Sequence, residues 1–544
     1  MASPQKKIAV LGGGFCGCCA LVQLKEEGGF ELVCFEKMDK PGGTWNYREE
    51  SIEAVASIMP TTVINHSKEL GALSDFPPPK EFNNYMRHHE LYQHFMDYVK
   101  SKDVLKYVKY NSEVMEVRRA KDYKETGRWT VTVKNTISNE VSVDVYDGVL
   151  LCVGHINRPK MPHYPGQDLF KGDIIHTHTL KGVEKYQKKN IVVVGMGCSG
   201  LDAAAETSNV AKTTVGGFLV RDKRCPWYLS TRSGAHVIRR VGPHGYPFDY
   251  TLARRWIFLL MAILPYKWMS YLLENIYLDP QFNRELYAIK PDHHVLYKDP
   301  VINDHIHSKF ISGSVMQKPD IERFTENGVI FKGDTEVTEA DVVIMATGYT
   351  WKFPFLEEGI IVKEGDKINL YKLMFPPHLE HATLAVLGFV LPFGPGFPIG
   401  ELQCRWAAQV LAGKCKLPSE KEMVEDDINK RYNTNILKYA RSDKVSVRVD
   451  YVPYCDELAS QFGVKPNLLK ILLTDPVLYF HLIFGPSLSY QYRLQGPHSW
   501  DGARNAIMTS KDRMLYPITK RSNPEYHENI FIKLMKKIFK FIFY

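Results

Sequence analysis

The 544-residue chain has no uninterrupted run of about twenty apolar residues, so no membrane-crossing helix is expected of it. Its first apolar run, Ile8-Ala9-Val10-Leu11, is cut short by Gly12, Gly13 and Gly14, which argues against a secretory signal peptide. Without a secretory context the ten cysteines are expected to be reduced thiols, and they form no metal-like set. His88, His89, His176, His178, His305 and His307 lack the cysteine or carboxylate company of a metal site. The net charge of +8 is mild for this length and is not gathered into a basic stripe interleaved with aromatics, which excludes a nucleic-acid-binding reading. There is no internal repeat and no low-complexity segment. What remains is a chain long enough for two or three globular domains with ample cores.

Two glycine-rich segments carry the chemistry. Gly12-Gly13-Gly14-Phe15-Cys16-Gly17 follows the run 8–11, and Gly195-Met196-Gly197-Cys198-Ser199-Gly200 follows Ile191-Val192-Val193-Val194. Each fits Gly-x-Gly-x-x-Gly where a buried parallel strand turns into a helix. There the first glycine makes the tight corner, the second lets backbone approach a pyrophosphate, and the third lets helix pack on strand. The helix N-terminus adds free N–H groups and the positive end of a dipole. Two such fingerprints predict an enzyme that holds two dinucleotides at once.

The two sites differ in charge. A strand over 31–35 ends in Glu36, about twenty residues past the first glycines, where a carboxylate accepts ribose hydroxyls and repels a 2′-phosphate. That suits FAD or NAD and not NADP. No acid stands at the equivalent place after the second fingerprint. Instead the chain offers Ser230-Thr231-Arg232-Ser233, where a guanidinium with neighbouring hydroxyls suits the 2′-phosphate of NADP. Arg221 and Arg224 are either further phosphate partners or surface charges, in a stretch, 215–227, that reads as an insertion.

Two more buried runs close on glycine, at Gly154 and at Ala346-Thr347-Gly348. Such a glycine lets backbone approach a cofactor closely. Because one precedes the second fingerprint and the other follows it, the expected fold is α/β with two Rossmann-like domains, one inserted in the other. The expected boundaries are an FAD-binding first part at 1–164, an NADP-binding insertion at 165–335, an FAD-binding second part at 336–424, a mostly helical region at 425–528 and a tail at 529–544. The chain would cross between domains twice, leaving a cleft where the dinucleotides meet.

The segment Phe170-Lys171-Gly172, His176 and Leu180-Lys181 resembles the identifying motif of the flavin-containing monooxygenases, with Leu180 in place of the usual aromatic. Pro41-Gly42-Gly43-Thr44-Trp45 is similar to that family's Gly-Gly-x-Trp segment near the flavin. The segment Asn65-His66-Ser67-Lys68-Glu69, preceded by Ile64, resembles the one that carries its active-site asparagine. Residues 230–234, 245–247, 346–349, 375–377 and 496–502 follow in family order, most like the animal dimethylaniline monooxygenase branch.

The resemblance implies an enzyme in which FAD does the hard chemistry and the protein positions the cofactors. NADPH reduces the flavin, O2 forms a C4a-hydroperoxyflavin, and a soft nitrogen or sulfur nucleophile of a small lipophilic substrate takes one oxygen. Asn65 would hydrogen-bond flavin, peroxide or nicotinamide. Baeyer–Villiger oxygenation of ketones and an NADPH oxidase that releases hydrogen peroxide are the alternatives. Cys16 and Cys19 have the spacing of a redox dithiol, but they overlap the first phosphate loop and are expected to pack beneath it. His176 is expected to be structural.

The tail adds a membrane expectation. Lys533, Lys536, Lys537 and Lys540 recur at helical spacing, opposite Phe531, Leu534, Met535, Ile538, Phe541 and Ile542. This is a basic amphipathic helix suited to an anionic interface, or else a terminal helix docked on the body. The apolar stretch 256–273, broken by Pro265 and Lys267, reads as a buried hairpin or a second membrane-facing patch, and 471–484 adds to it. The resemblance implies attachment to the cytosolic face of the endoplasmic reticulum, monotopic or through the tail. The reading leaves room for a homo-oligomer.

Overall fold

The computed structural model describes residues 5–210, 227–439 and 444–519. β1 (Lys6–Leu11) turns at Gly12 into α1 (Phe15–Glu27), and β2 (Phe30–Phe35), α2 (His88–Ser101), β3 (Val108–Lys109) and β4 (Gly148–Leu151) follow. The chain then enters a second unit of β5 (Asp173–His176), β6 (Ile191–Val194), α3 (Cys198–Thr207) and β7 (Trp227–Ser230). That unit continues through α4 (Arg255–Ile263), α5 (Tyr266–Leu272), β8 (Met316–Lys318) and β9 (Val342–Met345). β10 (Leu384–Val386) and α6 (Gly396–Leu411) come next, and a mostly helical region after them includes α7 (Leu468–Thr474) and α8 (Pro476–Phe484).

Two five-stranded parallel sheets result, with orders β10-β4-β1-β2-β3 and β8-β7-β6-β9-β5. Ile8, Val10, Leu150, Ile191 and Val192 are wholly buried, and each such side chain contributes roughly 1.5–3 kcal/mol. Strands covered on both faces by helices and loops read as unbroken apolar runs, which is why all four runs were legible. In both sheets the strand order reverses beside the fingerprint strand, between β1 and β4 and between β6 and β9. The crevice outside the carboxyl ends of strands at such a reversal is where open α/β sheets bind ligands.

Two expectations need correction. The run ending at Gly348 does not resume the first domain: β9 pairs with β6 and β5, so residues 342–345 belong to the second sheet. The chain rejoins the first sheet only at β10, beside β4. Trp227, read as part of an insertion, opens β7 and is buried. The rest of that stretch, with Arg221 and Arg224, and the tail 529–544 lie outside the described residues.

The helical region is fastened to the first domain through a buried guanidinium. Arg493 is 1% exposed and donates to Glu26, Ser74 and Glu401.

Candidate functional site

Both phosphate loops have the shape the glycine spacing predicts. Gly12 and Gly195 have φ near +99° and +111°, and a Cβ on them would meet the carbonyl oxygens of Cys152 and Ala346 at 2.7 and 2.5 Å. A Cβ on Gly17 or Gly200 would lie 1.8 or 2.0 Å from the carbonyl oxygen of Gly12 or Gly195, so helix and strand touch there. The middle glycines differ. Gly197 has nothing within 4 Å of the added atom, and Gly14 has only Gly43 at 3.6 Å. The open side of each loop is thus where a pyrophosphate would approach, at the N-terminus of α1 or α3.

Glu36 stands just beyond β2 with its carboxylate turned into the first loop. It accepts from Gly13 N at 2.6 Å and Met38 N at 2.9 Å, while burial raises its pKa. Each oxygen keeps a lone pair for a ribose hydroxyl. Gly43 faces Gly14 so closely that a Cβ there would lie 3.1 Å from the Gly14 Cα, and Gly42 N donates to Gly13 O at 2.9 Å. The Gly43-Thr44-Trp45 turn therefore lies directly on the first loop.

The Trp45 ring stands edge-on to Phe397 with centroids 6.2 Å apart, and Phe15 stacks on Phe397 at 4.0 Å. His66 meets the same ring at 5.2 Å. Phe397, in the first turn of α6, was not singled out from sequence: an aromatic in a glycine- and proline-rich helix start carries no periodic signal.

At the second loop, Thr231 and Arg232 follow the end of β7, the place of the ribose partner in this fold. Arg232 is exposed, and Thr231 Oγ1 accepts from Gly234 N at 3.0 Å. Ser199, in the first turn of α3, is exposed, and Ser233, next to Arg232, is half-buried. Ser230 is not available: it is 1% exposed and its hydroxyl donates to Pro319 O at 2.8 Å. Thr347 and Gly348 follow Ala346, whose carbonyl oxygen closes on Gly195 of the second loop, so the chain places them after the second sheet's strand and not the first's.

The identifying segment acts as a latch. His176 Nδ1 accepts from His178 N at 3.0 Å, leaving Nε2 to donate to Gly348 O at 3.1 Å. Burial pushes His176 down to about 4, so the ring is neutral at pH 7. Lys181 Nζ donates to Ile58 O at 3.1 Å, reaching the segment after Trp45.

Asn65 lies between the two loops. Its side chain is exposed, and its amide Nδ2 lies 3.6 Å from the Cys198 thiol of the second loop. Ile64 beside it is buried with Met86 and Leu91. Burial pushes His66 down to about 4, so its imidazole is also neutral at pH 7. Sequence reading missed Arg240 and Asp249, which hold this segment. Arg240 donates to Ile64 O, Val63 O and Asn65 Oδ1, and Asp249 accepts from Ser67 N at 2.6 Å.

Cys16, Cys18 and Cys19 pack beneath the first loop, where burial pushes the Cys16 and Cys18 thiols up to about 12 and Cys19 well above its ordinary value. None is a thiolate at neutral pH, which removes the dithiol chemistry. Among the described residues no group of three His, Cys, Asp or Glu side chains is placed to hold a metal ion.

Residues 5–544 match the model of a family described as flavin-binding monooxygenase-like. The chain is 38% identical over 519 residues to dimethylaniline monooxygenase (N-oxide-forming) 2 of Rattus norvegicus, covering 95% of this chain and 94% of the relative. It is 38% identical over 519 residues to flavin-containing monooxygenase 5 of Homo sapiens, with the same coverage of each. Among solved structures, an S-allyl-L-cysteine S-oxygenase from Allium sativum superposes with a TM-score of 0.60 at 21% identity, over 87% of this chain and 94% of that one. A cyclohexanone monooxygenase from Rhodococcus sp. Phi1 bound to NADP+ superposes with a TM-score of 0.58 at 15% identity, over 84% and 97%. These two likenesses bear on the fold alone.

Proposed function

The chain belongs to the flavin-binding monooxygenase-like family, and from that premise we propose that it oxygenates soft nitrogen or sulfur nucleophiles of small lipophilic molecules. It is an NADPH-dependent flavin monooxygenase with FAD and NADP as its dinucleotides. The observation that carries the assignment of each is the pair of open middle glycines, Gly14 and Gly197, in loops of which the first is bonded to the Glu36 carboxylate through Gly13 and the second, through Gly195 N on Ser230 O, adjoins the strand end that Thr231 and Arg232 follow.

The residues present fit both groups. Gly12, Gly13, Gly14 and Gly17 with α1 would hold the FAD pyrophosphate, and Glu36 its ribose. Gly195, Gly197 and Gly200 with α3 would hold the NADP pyrophosphate, with Arg232 and Thr231 toward the 2′-phosphate. FAD, reduced by NADPH, supplies the two-electron activation of O2, so that one oxygen atom goes to substrate and the other leaves as water. Phe15, Trp45 and Phe397 form an apolar wall beside the first loop that slows water entry. Neutral His66 adds no charge to it, and Asn65 offers an amide hydrogen-bond donor to the cleft.

The test is product analysis under isotopically labelled O2, with a thioether, a tertiary amine and a ketone offered in turn. Sulfoxide and N-oxide carrying one labelled oxygen per NADPH consumed are expected. Ester from the ketone with the other two inert establishes the Baeyer–Villiger reading instead, and hydrogen peroxide equal to NADPH with all three establishes an oxidase.

Attachment to the cytosolic face of the endoplasmic reticulum membrane is part of the same proposal. α4 and α5 turn at Pro265, α8 packs against α4, and this corner leaves large apolar side chains outside the core. Ile263 is 77% exposed, Trp268 69% and Leu473 77%, with Leu259, Phe480 and Phe484 beside them and Lys267 and Lys470 exposed among them. An apolar corner with Lys267 and Lys470 exposed in it suits the interface of an anionic bilayer. Among the described residues no helix is long and apolar enough to cross a membrane; the attachment proposed is monotopic or through the tail.

A further inference from the structure

The Asn65 segment belongs to the first domain, but the groups that hold it come from the second. Residues 240–249 form a loop closed by Phe248 N donating to Arg240 O at 3.0 Å and Gly242 N to Tyr246 O at 2.7 Å. From one end of it Arg240, 9% exposed, reaches three consecutive residues: Nε donates to Ile64 O at 3.1 Å, Nη2 to Val63 O at 3.0 Å and to Asn65 Oδ1 at 2.8 Å. Its other nitrogen is fixed on Asp304 Oδ2 at 2.8 Å. From the other end Asp249, 6% exposed, accepts from Ser67 N at 2.6 Å and from Tyr85 Oη at 3.0 Å, and Tyr85 Oη also lies 3.0 Å from Arg240 O.

A guanidinium has donors and no acceptor, so it can face only the oxygen of a carboxamide. The flip of Asn65 is thereby set. The NH2 end points away from Arg240, and its recorded neighbour is Cys198 of the second phosphate loop. An unheld, exposed asparagine would present oxygen and nitrogen to the cleft alternately.

We infer that Arg240, braced by Asp304 while Asp249 holds Ser67, is the positioning residue that presents the Asn65 amide as a hydrogen-bond donor between the two dinucleotides, and that it does so only while the second domain is docked on the first. This rests on the monooxygenase reading above for what the donor serves, and on the hydrogen bonds alone for how it is held. The consequence is a link between domains: the donor that protects the oxygen chemistry is in place only when the domain that carries NADP is in place.

The experiment uses the FAD-loaded full chain and compares Arg240→Met, Arg240→Lys, Asn65→Asp and the pair Arg240→Met with Asn65→Asp. Asn65→Asp keeps an acceptor for Arg240 but has no NH2 to present. Both Arg240→Met and Asn65→Asp are expected to keep bound FAD and to shift NADPH oxidation from product toward hydrogen peroxide by roughly tenfold, the size of one charged hydrogen bond. The KM for NADPH should move far less than this ratio. The pair should be no worse than either alone, because both remove one function. Amide hydrogen exchange over 62–70 should quicken in Arg240→Met and not in Asn65→Asp. Should Arg240→Met fail to fold, Arg240→Lys carries the same test with a smaller expected shift.

Unchanged coupling with unchanged exchange in the Arg240 variants overturns the inference, and so do multiplying effects in the pair. A wild-type protein that releases only peroxide defeats the monooxygenase reading instead, and there the exchange arm still decides whether Arg240 holds the segment.

Discussion

A Cβ placed on Gly200 would lie 2.0 Å from the carbonyl oxygen of Gly195, so the third glycine of the second loop is required by the fold before any ligand is considered. Gly197, between them, has open space where its side chain would be and an extended backbone that any residue adopts. Gly197→Ala is therefore expected to fold and keep FAD while raising the KM for NADPH roughly tenfold or more, since only the approaching pyrophosphate is obstructed. Gly200→Ala is expected to give little soluble protein. Equal effects of the two on thermal stability would show that the space at Gly197 is not a ligand's.

Arg232 at the end of β7 is exposed. Arg232→Ala should weaken NADPH roughly tenfold or more and leave NADH nearly unchanged, because only NADPH has the phosphate that a guanidinium grips. Steady-state kinetics with both cofactors checks this, and equal loss would remove Arg232 from the phosphate site.

His94, His176 and His307 are each buried, and burial pushes each down to about 4 from an ordinary value near 6.5. Between those pH values the unfolded chain takes up protons there and the folded chain does not. Stability is thus present at neutral pH and is lost as pH falls through this window. The melting temperature of the holoenzyme should drop from pH 7 to 5.5, and His94→Phe should show a shallower drop. A slope unaltered by His94→Phe would mean that this ring titrates alike in both states.

Trp268, Leu473 and Phe480 stand outside the core on one corner of the molecule. Trp268→Glu with Leu473→Glu should reduce sedimentation with anionic vesicles several-fold, roughly a few kcal/mol of buried apolar surface at most, without altering bound FAD. Removal of 529–544 should release a further share. If truncation alone abolishes sedimentation and the glutamates change nothing, the corner is not a lipid-facing surface.

Much of this molecule was legible from local pattern. A four-residue apolar run, a glycine turn and a helix to Glu27 are contiguous in the chain, so spacing alone placed β1, α1, β6 and α3. The places of Glu36 and Arg232 were legible for the same reason, each just beyond the strand after its fingerprint helix. Asn65 came from its resemblance to a family segment, because a single asparagine has no periodicity to betray it. Three matters were decided only in three dimensions. That β9 lies in the second sheet, between β6 and β5, was not legible because buried parallel strands carry interchangeable apolar runs. Ser230 turned inward because alternate residues of a strand point to opposite faces, and its hydroxyl met Pro319 O. Arg240 and Asp249 took hold of a segment more than 170 positions earlier in the chain. Hydrogen bonds between residues so far apart leave no mark on local composition, since they exist only once two separately folded sheets have been brought together.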